Sequence, residues 1–315
     1  MLGRIVKGVG NFFDVCVEED NEYKDQIIAC NSRGVFRKDS LKLKPLVGDI
    51  ADIDINHEHR DVTETLGIIN KIGERRNTLK RPPVANIDIL FIVTSVKSPS
   101  PSYFFIDKLT VTAVENEITP VIIINKIDLN NGNDELFNIY SKANFKTIKI
   151  NATNKNHEGF DEIKNELRDK ICVFAGVSGV GKSSILNGLF AGLNLDTGIL
   201  SGRIERGKHT TRTVELFKNN LGGYAADTPG FSALDFENDD NINILKENLI
   251  LDFPDLNIYA ENCKYTKCTH IREEGCKVVE ALNCGEISKS RHESYVTIYE
   301  LLKNQKYIKK PEKGK

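Results

Sequence analysis

Residues 171–190 read Ile-Cys-Val-Phe-Ala-Gly-Val-Ser-Gly-Val-Gly-Lys-Ser-Ser-Ile-Leu-Asn-Gly-Leu-Phe, and this stretch decides the fold. Ile171 to Ala175 is a continuous apolar run, the pattern of a strand buried on both faces. Gly176-Val177-Ser178-Gly179-Val180-Gly181-Lys182-Ser183 satisfies G-x-x-x-x-G-K-[ST], with Ser184 next and a helix expected over 182–190. The glycines let the backbone curl so that successive N–H groups point at phosphate oxygens. The helix N-terminus adds its positive dipole end. Lys182 is expected to reach the β- and γ-phosphates, and the Ser183 hydroxyl to ligate Mg²⁺. A chance match in a glycine-rich turn is the bland alternative, and the flanking strand and helix disfavour it.

Strand and helix patterns alternate on either side. Before the motif come an apolar strand at 87–93, a helix at 104–117, a strand at 121–124, a helix at 134–141, a strand at 147–150 and a helix at 160–170. After it come strands at 213–217 and 224–226. This series predicts a doubly wound α/β domain.

Asn125-Lys126-Ile127-Asp128 follows the strand at 121–124. In an N-K-x-D element the Asp carboxylate accepts from guanine N1–H and the N2 amino group. Adenine offers neither donor, and an acceptor left unpaired in a site built for it is costly, so such a site selects GTP over ATP. Taken alone the four residues also suit a helix cap. Asn151-Ala152-Thr153 follows the next strand and resembles the weaker S-A-K element, in which the Ala152 N–H would contact guanine O6. Asp227-Thr228-Pro229-Gly230 suits a second switch, with Asp227 holding Mg²⁺ through water and the Gly230 N–H sensing the γ-phosphate. Gly207-Lys208-His209-Thr210-Thr211-Arg212 lies between. Thr210 and Thr211 are both candidates for a γ-phosphate-dependent Mg²⁺ ligand, with Thr211 favoured. Phe231 stands after Gly230 and can neither donate nor accept a hydrogen bond, so His209 is the best polar group for orienting the attacking water; a plain surface histidine is the alternative.

The order of these motifs is unusual. N-K-x-D precedes the phosphate loop, whereas Ras-like GTPases run the other way. A circular permutation explains this without changing the sheet, because close termini tolerate it. The chain then leaves the second switch directly into a C-terminal region. There, Cys263, Cys268, His270 and Cys276 supply three thiolates and an imidazole, a full tetrahedral set for one structural Zn²⁺. Lys264, Lys267, Arg272 and Lys277 make its surroundings basic, and Cys284 is a spare. Cys16, Cys30 and Cys172 sit in strand patterns as small buried hydrophobes. A final amphipathic helix carries Tyr295, Ile298, Tyr299 and Leu302 at 3–4 spacing.

At the other end, period-2 stretches at 3–9, 12–17, 26–30, 49–55 and 62–69 suit a small β-barrel, the OB-fold being the commonest. Residues 71–83 look like a linker, with Pro82-Pro83 barring regular structure and Lys71, Arg75, Arg76, Lys80 and Arg81 making it basic. It is either a solvated run or a contact to a phosphate backbone. The expected organisation is therefore a multi-domain α/β protein: an OB-fold barrel at 1–67, a basic linker at 68–83, a circularly permuted P-loop GTPase domain at 84–235, and an α-rich zinc-binding domain at 236–315. Lys+Arg number 43 against Asp+Glu 45, which excludes a globally basic nucleic-acid binder. No apolar run is long enough for a bilayer, and no secretory h-region opens the chain, so a cytoplasmic, membrane-free protein is expected.

The layout resembles the circularly permuted ribosome-assembly GTPases of the RsgA/YjeQ family over nearly the whole chain. The resemblance rests on Arg76-Asn77-Thr78-Leu79-Lys80-Arg81-Pro82, on the motifs at 125–128, 176–184, 207–211 and 227–231, on Cys263, Cys268, His270, Glu273 and Cys276, and on Ile287-Ser288-x-x-Arg291 with Tyr295. It implies GTP/GDP with Mg²⁺, one structural Zn²⁺, binding to the small ribosomal subunit and its rRNA late in assembly, and slow hydrolysis stimulated by that subunit. It also implies His209 as the catalytic residue. Asn151 departs from the usual Ser, and Gly179 replaces the loop Asn that binds K⁺ in some related GTPases, so no K⁺ is expected through that residue. A monomer is the default. The alternatives are an RNA-binding module with a structural nucleotide, and a GTPase for tRNA or DNA.

Overall fold

The computed structural model describes residues 1–32, 44–55, 67–80, 82–130, 132, 134–190, 214–227 and 245–304. Strands β1 (Leu2–Val9), β2 (Phe12–Val17), β3 (Ile27–Ser32), β4 (Ile50–Ile55) and β5 (Gly67–Ile72) close a barrel in the order β1-β2-β3-β5-β4. The pairs are antiparallel except β3 with β5, and β1 closes onto β4. Alternation puts Ile5, Val15, Ile53 and Ile69 inside, all fully buried. The last barrel strand, expected at 62–69, is described from Gly67 onward.

The stretch read as a basic linker is folded. β6 (Thr78–Lys80) and β7 (Pro83–Ala85) form a hairpin, and Pro83 opens β7, where a missing N–H is tolerated. Arg75 Nε and Nη2 each donate at 2.7 Å to Asp49, which is fully buried. Arg76 Nη1 donates at 2.6 Å to Asp88. Both cations thus pair with carboxylates of the chain itself, Arg75 largely buried and Arg76 largely exposed.

The α/β domain contains β8 (Ile89–Ser95), helix α1 (Tyr103–Glu115), β9 (Thr119–Asn125), α2 (Glu135–Lys142), β10 (Lys146–Lys149), α3 (Gly159–Leu167), β11 (Ile171–Ala175), α4 (Lys182–Leu189), β12 (Leu216–Lys218) and β13 (Tyr224–Asp227). Its sheet runs β10-β9-β8-β11-β13-β12, parallel except for edge strand β12. The alternating side chains make two cores. Leu90, Ile92, Ile122, Ile124 and Val173 share one face with α1, α2 and the barrel. Ile89, Phe91, Val93, Ile123 and Phe174 share the other with α3 and α4. The winding direction reverses between β8 and β11, which places a ligand crevice at the carboxyl ends of those strands.

The C-terminal region packs α5 (Pro254–Ala260), α6 (Lys277–Asn283) and α7 (Lys289–Asn304) around Phe253, Leu256, Tyr295, Ile298 and Leu302. The apolar face expected of the last helix is the buried one. Val111 of α1 joins this core, so α1 is buried on several sides. Arg291 fixes the junction. It donates through Nη1 to Asp107 at 2.6 Å and through Nε and Nη2 to Asp255 at 3.1 and 2.7 Å, with Arg291 and Asp107 fully buried. Removing one partner of a buried ion pair costs about 3–5 kcal/mol, because the other charge is stranded. The C-terminal region is thereby anchored to α1.

Asp252 closes the 3-10 turn before α5, nearly buried and with Oδ2 unpaired. Burial, aided by the charge of Glu115, raises its carboxyl to about 7. In the unfolded chain it ionises near 3.8. Between these values the fold holds a proton that the unfolded chain has released. Its contribution to stability therefore declines as pH rises from about 4 to about 7, then levels off. Asp252→Asn is expected to raise the melting temperature at pH 8 and to leave it nearly unchanged at pH 4; equal shifts at both pH values would refute this.

Candidate nucleotide site and metal cluster

The phosphate loop occupies the crevice. Gly176 is required because a Cβ there would lie 2.2 Å from Val93 O, where β11 exits beside β8. Gly181 has φ +99°, and a Cβ would lie 2.2 Å from Asn125 Nδ2. No side-chain cap hydrogen bond is made at the start of α4, whose positive dipole end suits an anion. Lys182 Nζ donates to Gly176 O at 2.7 Å and Val177 O at 3.3 Å, which holds it across the loop. Ser183 and Ser184 lie in the first turn of α4, half-buried.

Asn125 joins three loops. Its Nδ2 donates to Val180 O at 2.8 Å, and its Oδ1 accepts from the Ala152 N–H at 3.0 Å. Lys126, in a left-handed conformation, donates to Gly179 O at 2.7 Å and also to Ser98 O. Ile127 and Asp128 begin a short 3-10 turn, and Asp128 is exposed. The N-K-x-D residues, the phosphate loop and Ala152 are thus brought together. One detail departs from expectation: the Ala152 N–H is engaged by Asn125, so contact with guanine O6 needs that bond shared or released. Sequence reading also missed the segment after β8. Pro99 Cδ lies 3.7 Å from where a Gly179 Cβ would stand, and Ser95 Oγ bonds Pro99 O at 2.8 Å. Lys97-Ser98-Pro99 resembles an ordinary turn, and no local signal points it at the phosphate loop.

Asp227 ends β13 opposite Phe174, so its backbone stands at the same carboxyl edge of the sheet as the phosphate loop. His209, Thr210, Thr211, Gly230 and Phe231 lie outside the described residues.

Cys263, Cys268, His270 and Cys276 converge, with their donor atoms all within 4.8 Å of one another. An ion about 2.3 Å from each sulfur and 2.0–2.1 Å from a nitrogen sets sulfurs about 3.8 Å apart and sulfur to nitrogen about 3.6 Å. Cys263 Sγ lies 3.8 Å from Cys276 Sγ and 3.5 Å from His270 Nδ1, and Cys276 Sγ lies 3.8 Å from His270 Nδ1. The donor set fits one tetrahedral ion. Burial, reinforced by the neighbouring thiols, pushes the Cys268 thiol up to about 12, and a bound cation would favour its thiolate. Burial lowers His270, which keeps its imidazole in the neutral, ligating form. Glu273 braces the loop by accepting from Thr269 N at 2.9 Å, Ile271 N at 3.1 Å and Arg272 N at 3.2 Å. Burial alone would raise its carboxyl, but these bonds and that of the Thr269 hydroxyl hold it down to about 2. Cys284 is exposed and outside the cluster, and Cys16, Cys30 and Cys172 are buried in the strands.

A family model described as RsgA GTPase matches residues 72–237, and one described as RsgA N-terminal domain matches residues 2–62. The chain belongs to the RsgA GTPase family. It is 41% identical over 305 residues to the small ribosomal subunit biogenesis GTPase RsgA of Caldanaerobacter subterraneus subsp. tengcongensis, covering 96% of each chain. It is 37% identical over 308 residues to the protein of that name from Bacillus subtilis, covering 96% of this chain and 98% of the relative. Among solved structures, YjeQ from Thermotoga maritima aligns with a TM-score of 0.75 at 35% identity, over 97% of this chain and 99% of that one. YloQ, described as a circularly permuted GTPase, aligns with a TM-score of 0.73 at 32% identity, over 97% and 96%. The five-stranded barrel, the permuted sheet and the Cys₃His cluster are the architecture of this RsgA chain. Among the described residues no helix is long and apolar enough to cross a membrane.

Proposed function

We propose that this chain hydrolyses GTP and acts in maturation of the small (30S) ribosomal subunit, binding its rRNA and being stimulated by it. The observation that carries the reading is Asn125, which ties an N-K-x-D loop, a phosphate loop and the Ala152 loop into one crevice. The chain is also coextensive with relatives named small ribosomal subunit biogenesis GTPase RsgA.

In this reading the N–H groups of residues 176–181 and of the first turn of α4, at Lys182, Ser183 and Ser184, cradle the phosphates. Lys182 leaves the loop carbonyls for the β- and γ-oxygens. Asp128 accepts from guanine, and Asn125 and Lys126 hold the loops in register. Ser183, Thr211 and Asp227 would hold Mg²⁺, which would supply charge neutralisation for phosphoryl transfer. The Gly230 N–H contacts the γ-phosphate, and His209 orients the attacking water. The Cys₃His cluster holds one structural Zn²⁺, because four protein ligands leave no open position. The barrel and the basic surface of Lys264, Lys267 and Arg272 meet rRNA, mostly by shape and phosphate. The protein works as a cytoplasmic monomer. A nucleotide with a purely structural role is the less favoured reading, since the relatives that match the chain end to end are named as GTPases.

Co-sedimentation tests the partner. Binding to isolated small subunits that weakens steeply with salt, and is absent with large subunits, is expected; equal binding to both would reject the assignment. Asp128→Asn tests the base. It removes a charged acceptor, so GTP affinity should fall roughly 10- to 100-fold, with GTP/ATP selectivity reduced. Unchanged selectivity would refute the role of Asp128.

A further inference from the structure

The base loop is tied to the phosphate loop twice. Asn125 makes the first tie, through Val180 O. Lys126 makes the second, and a third segment takes part in it. Its ammonium donates to Gly179 O at 2.7 Å and to Ser98 O, in the stretch between β8 and α1. Ordering such a long, flexible side chain costs rotamer freedom. The ammonium rests where these two carbonyl oxygens are placed, and Ser98 O is the one that the phosphate loop does not itself supply.

Ser98 O is placed by a closed turn. β8 ends at Ser95, opposite Asn125 of β9, and the Val96 N–H donates to Asn125 O at 3.2 Å. The Ser95 hydroxyl then donates forward to Pro99 O at 2.8 Å, which closes residues 95–99 on themselves. Ser98 has φ +53°, a left-handed conformation that a serine keeps only where its surroundings hold it. In that conformation its carbonyl accepts from Lys126. Pro99 Cδ lies 3.7 Å from where a Gly179 Cβ would stand, an ordinary contact distance, so the turn abuts the phosphate loop. Ser102 caps α1 by accepting from the Phe105 N–H at 3.4 Å, so the segment is held at both ends.

We propose that Ser95 is a positioning residue for guanine-nucleotide binding, acting through Ser98 O and Lys126 on the phosphate loop. The inference rests on the reading of the crevice as a guanine-nucleotide site. Ser95 is fully buried at the end of a mostly apolar strand. Alanine would fill that place nearly as well, so packing alone does not call for the hydroxyl. A buried hydroxyl needs a partner, and the one it has is Pro99 O. With the turn closed, the crevice meets the nucleotide with Lys126 already in place, and less freedom is lost on binding. With the turn open, Ser98 O is no longer held, Lys126 keeps one of its two acceptors, and the second tie between the loops slackens.

Equilibrium binding of a fluorescent GDP to the full-length protein tests this through a double-mutant cycle. Ser95→Ala is expected to weaken binding about fivefold, the effect of one neutral hydrogen bond, with the melting temperature nearly unchanged. At saturating GTP its kcat should match the wild type, because KM carries the loss. Lys126→Ala is expected to weaken binding at least about tenfold. In the Lys126→Ala background, Ser95→Ala should cost nothing further, since its route to the phosphate loop is already cut. A Ser95→Ala variant that binds like the wild type, or one whose full loss persists beside Lys126→Ala, would overturn the proposal. Pro99→Gly loosens the same turn from its other end, at a half-buried position. It replaces Ser95→Ala in the same cycle, with the same outcomes, should that variant fail to fold. A wild type that binds no guanine nucleotide would overturn the reading of the crevice and this inference with it. A tight wild-type complex with an additive cycle would overturn the inference alone.

Discussion

Lys182→Ala is expected to lower GTP turnover by at least about a hundredfold while leaving the fold intact, the scale at which one preorganised donor to a developing charge matters. Its ammonium already spans the phosphate loop, bonded to Gly176 O and Val177 O. In the proposed complex it exchanges these neutral acceptors for phosphate oxygens, whose charge makes the bonds stronger. The fold should not suffer. Lys182 is only half-buried at the first position of α4, alanine is the best helix former, and the glycines that shape the loop are untouched. Phosphate release over many turnovers, read beside a thermal melt, checks both halves. Turnover within tenfold of wild type at an unchanged melt would remove Lys182 from the machinery.

Cys276→Ser carries the second large effect. Cys276 is 1% exposed, and its sulfur stands 3.8 Å from both Cys263 Sγ and His270 Nδ1. It also precedes α6 directly, so the cluster and the C-terminal core share a residue. Structural zinc is worth about 10–16 kcal/mol to small domains, far more than such a core supplies alone. Zinc content should drop from one ion per chain to near zero. The C-terminal region should lose its cooperative melting. GTP affinity should stay within about threefold, since the crevice is built from β8, β9, β11 and α4. Cys284→Ser, at the exposed cysteine outside the cluster, is the control and should change nothing. Full zinc content in Cys276→Ser would contradict the assignment.

The parts legible in the sequence are those whose chemistry is local. G-x-x-x-x-G-K-[ST] and N-K-x-D declare themselves because loop curvature and ligand contact are set within a few residues. The Cys₃His spacing is legible for the same reason. Their inverted order exposed the permuted sheet, because strand order follows from which motif ends which strand. What was hidden depends on partners distant in the chain. Arg75 and Arg76 look like free cations until Asp49 and Asp88 are placed beside them. The Ala152 N–H looks available for guanine until Asn125 turns its oxygen towards it. The motif order shows one connection, the chain running from the second switch directly into the C-terminal region. Arg291 adds another through Asp107 on α1, and a lone arginine in a helix pattern carries no sign of that burial.

The most direct measurement is GTP turnover by the purified protein with and without isolated small ribosomal subunits, with large subunits as the control. The account predicts slow turnover alone, strong stimulation by small subunits and none by large ones. Turnover indifferent to small subunits, with GTP still tightly bound, would contradict it.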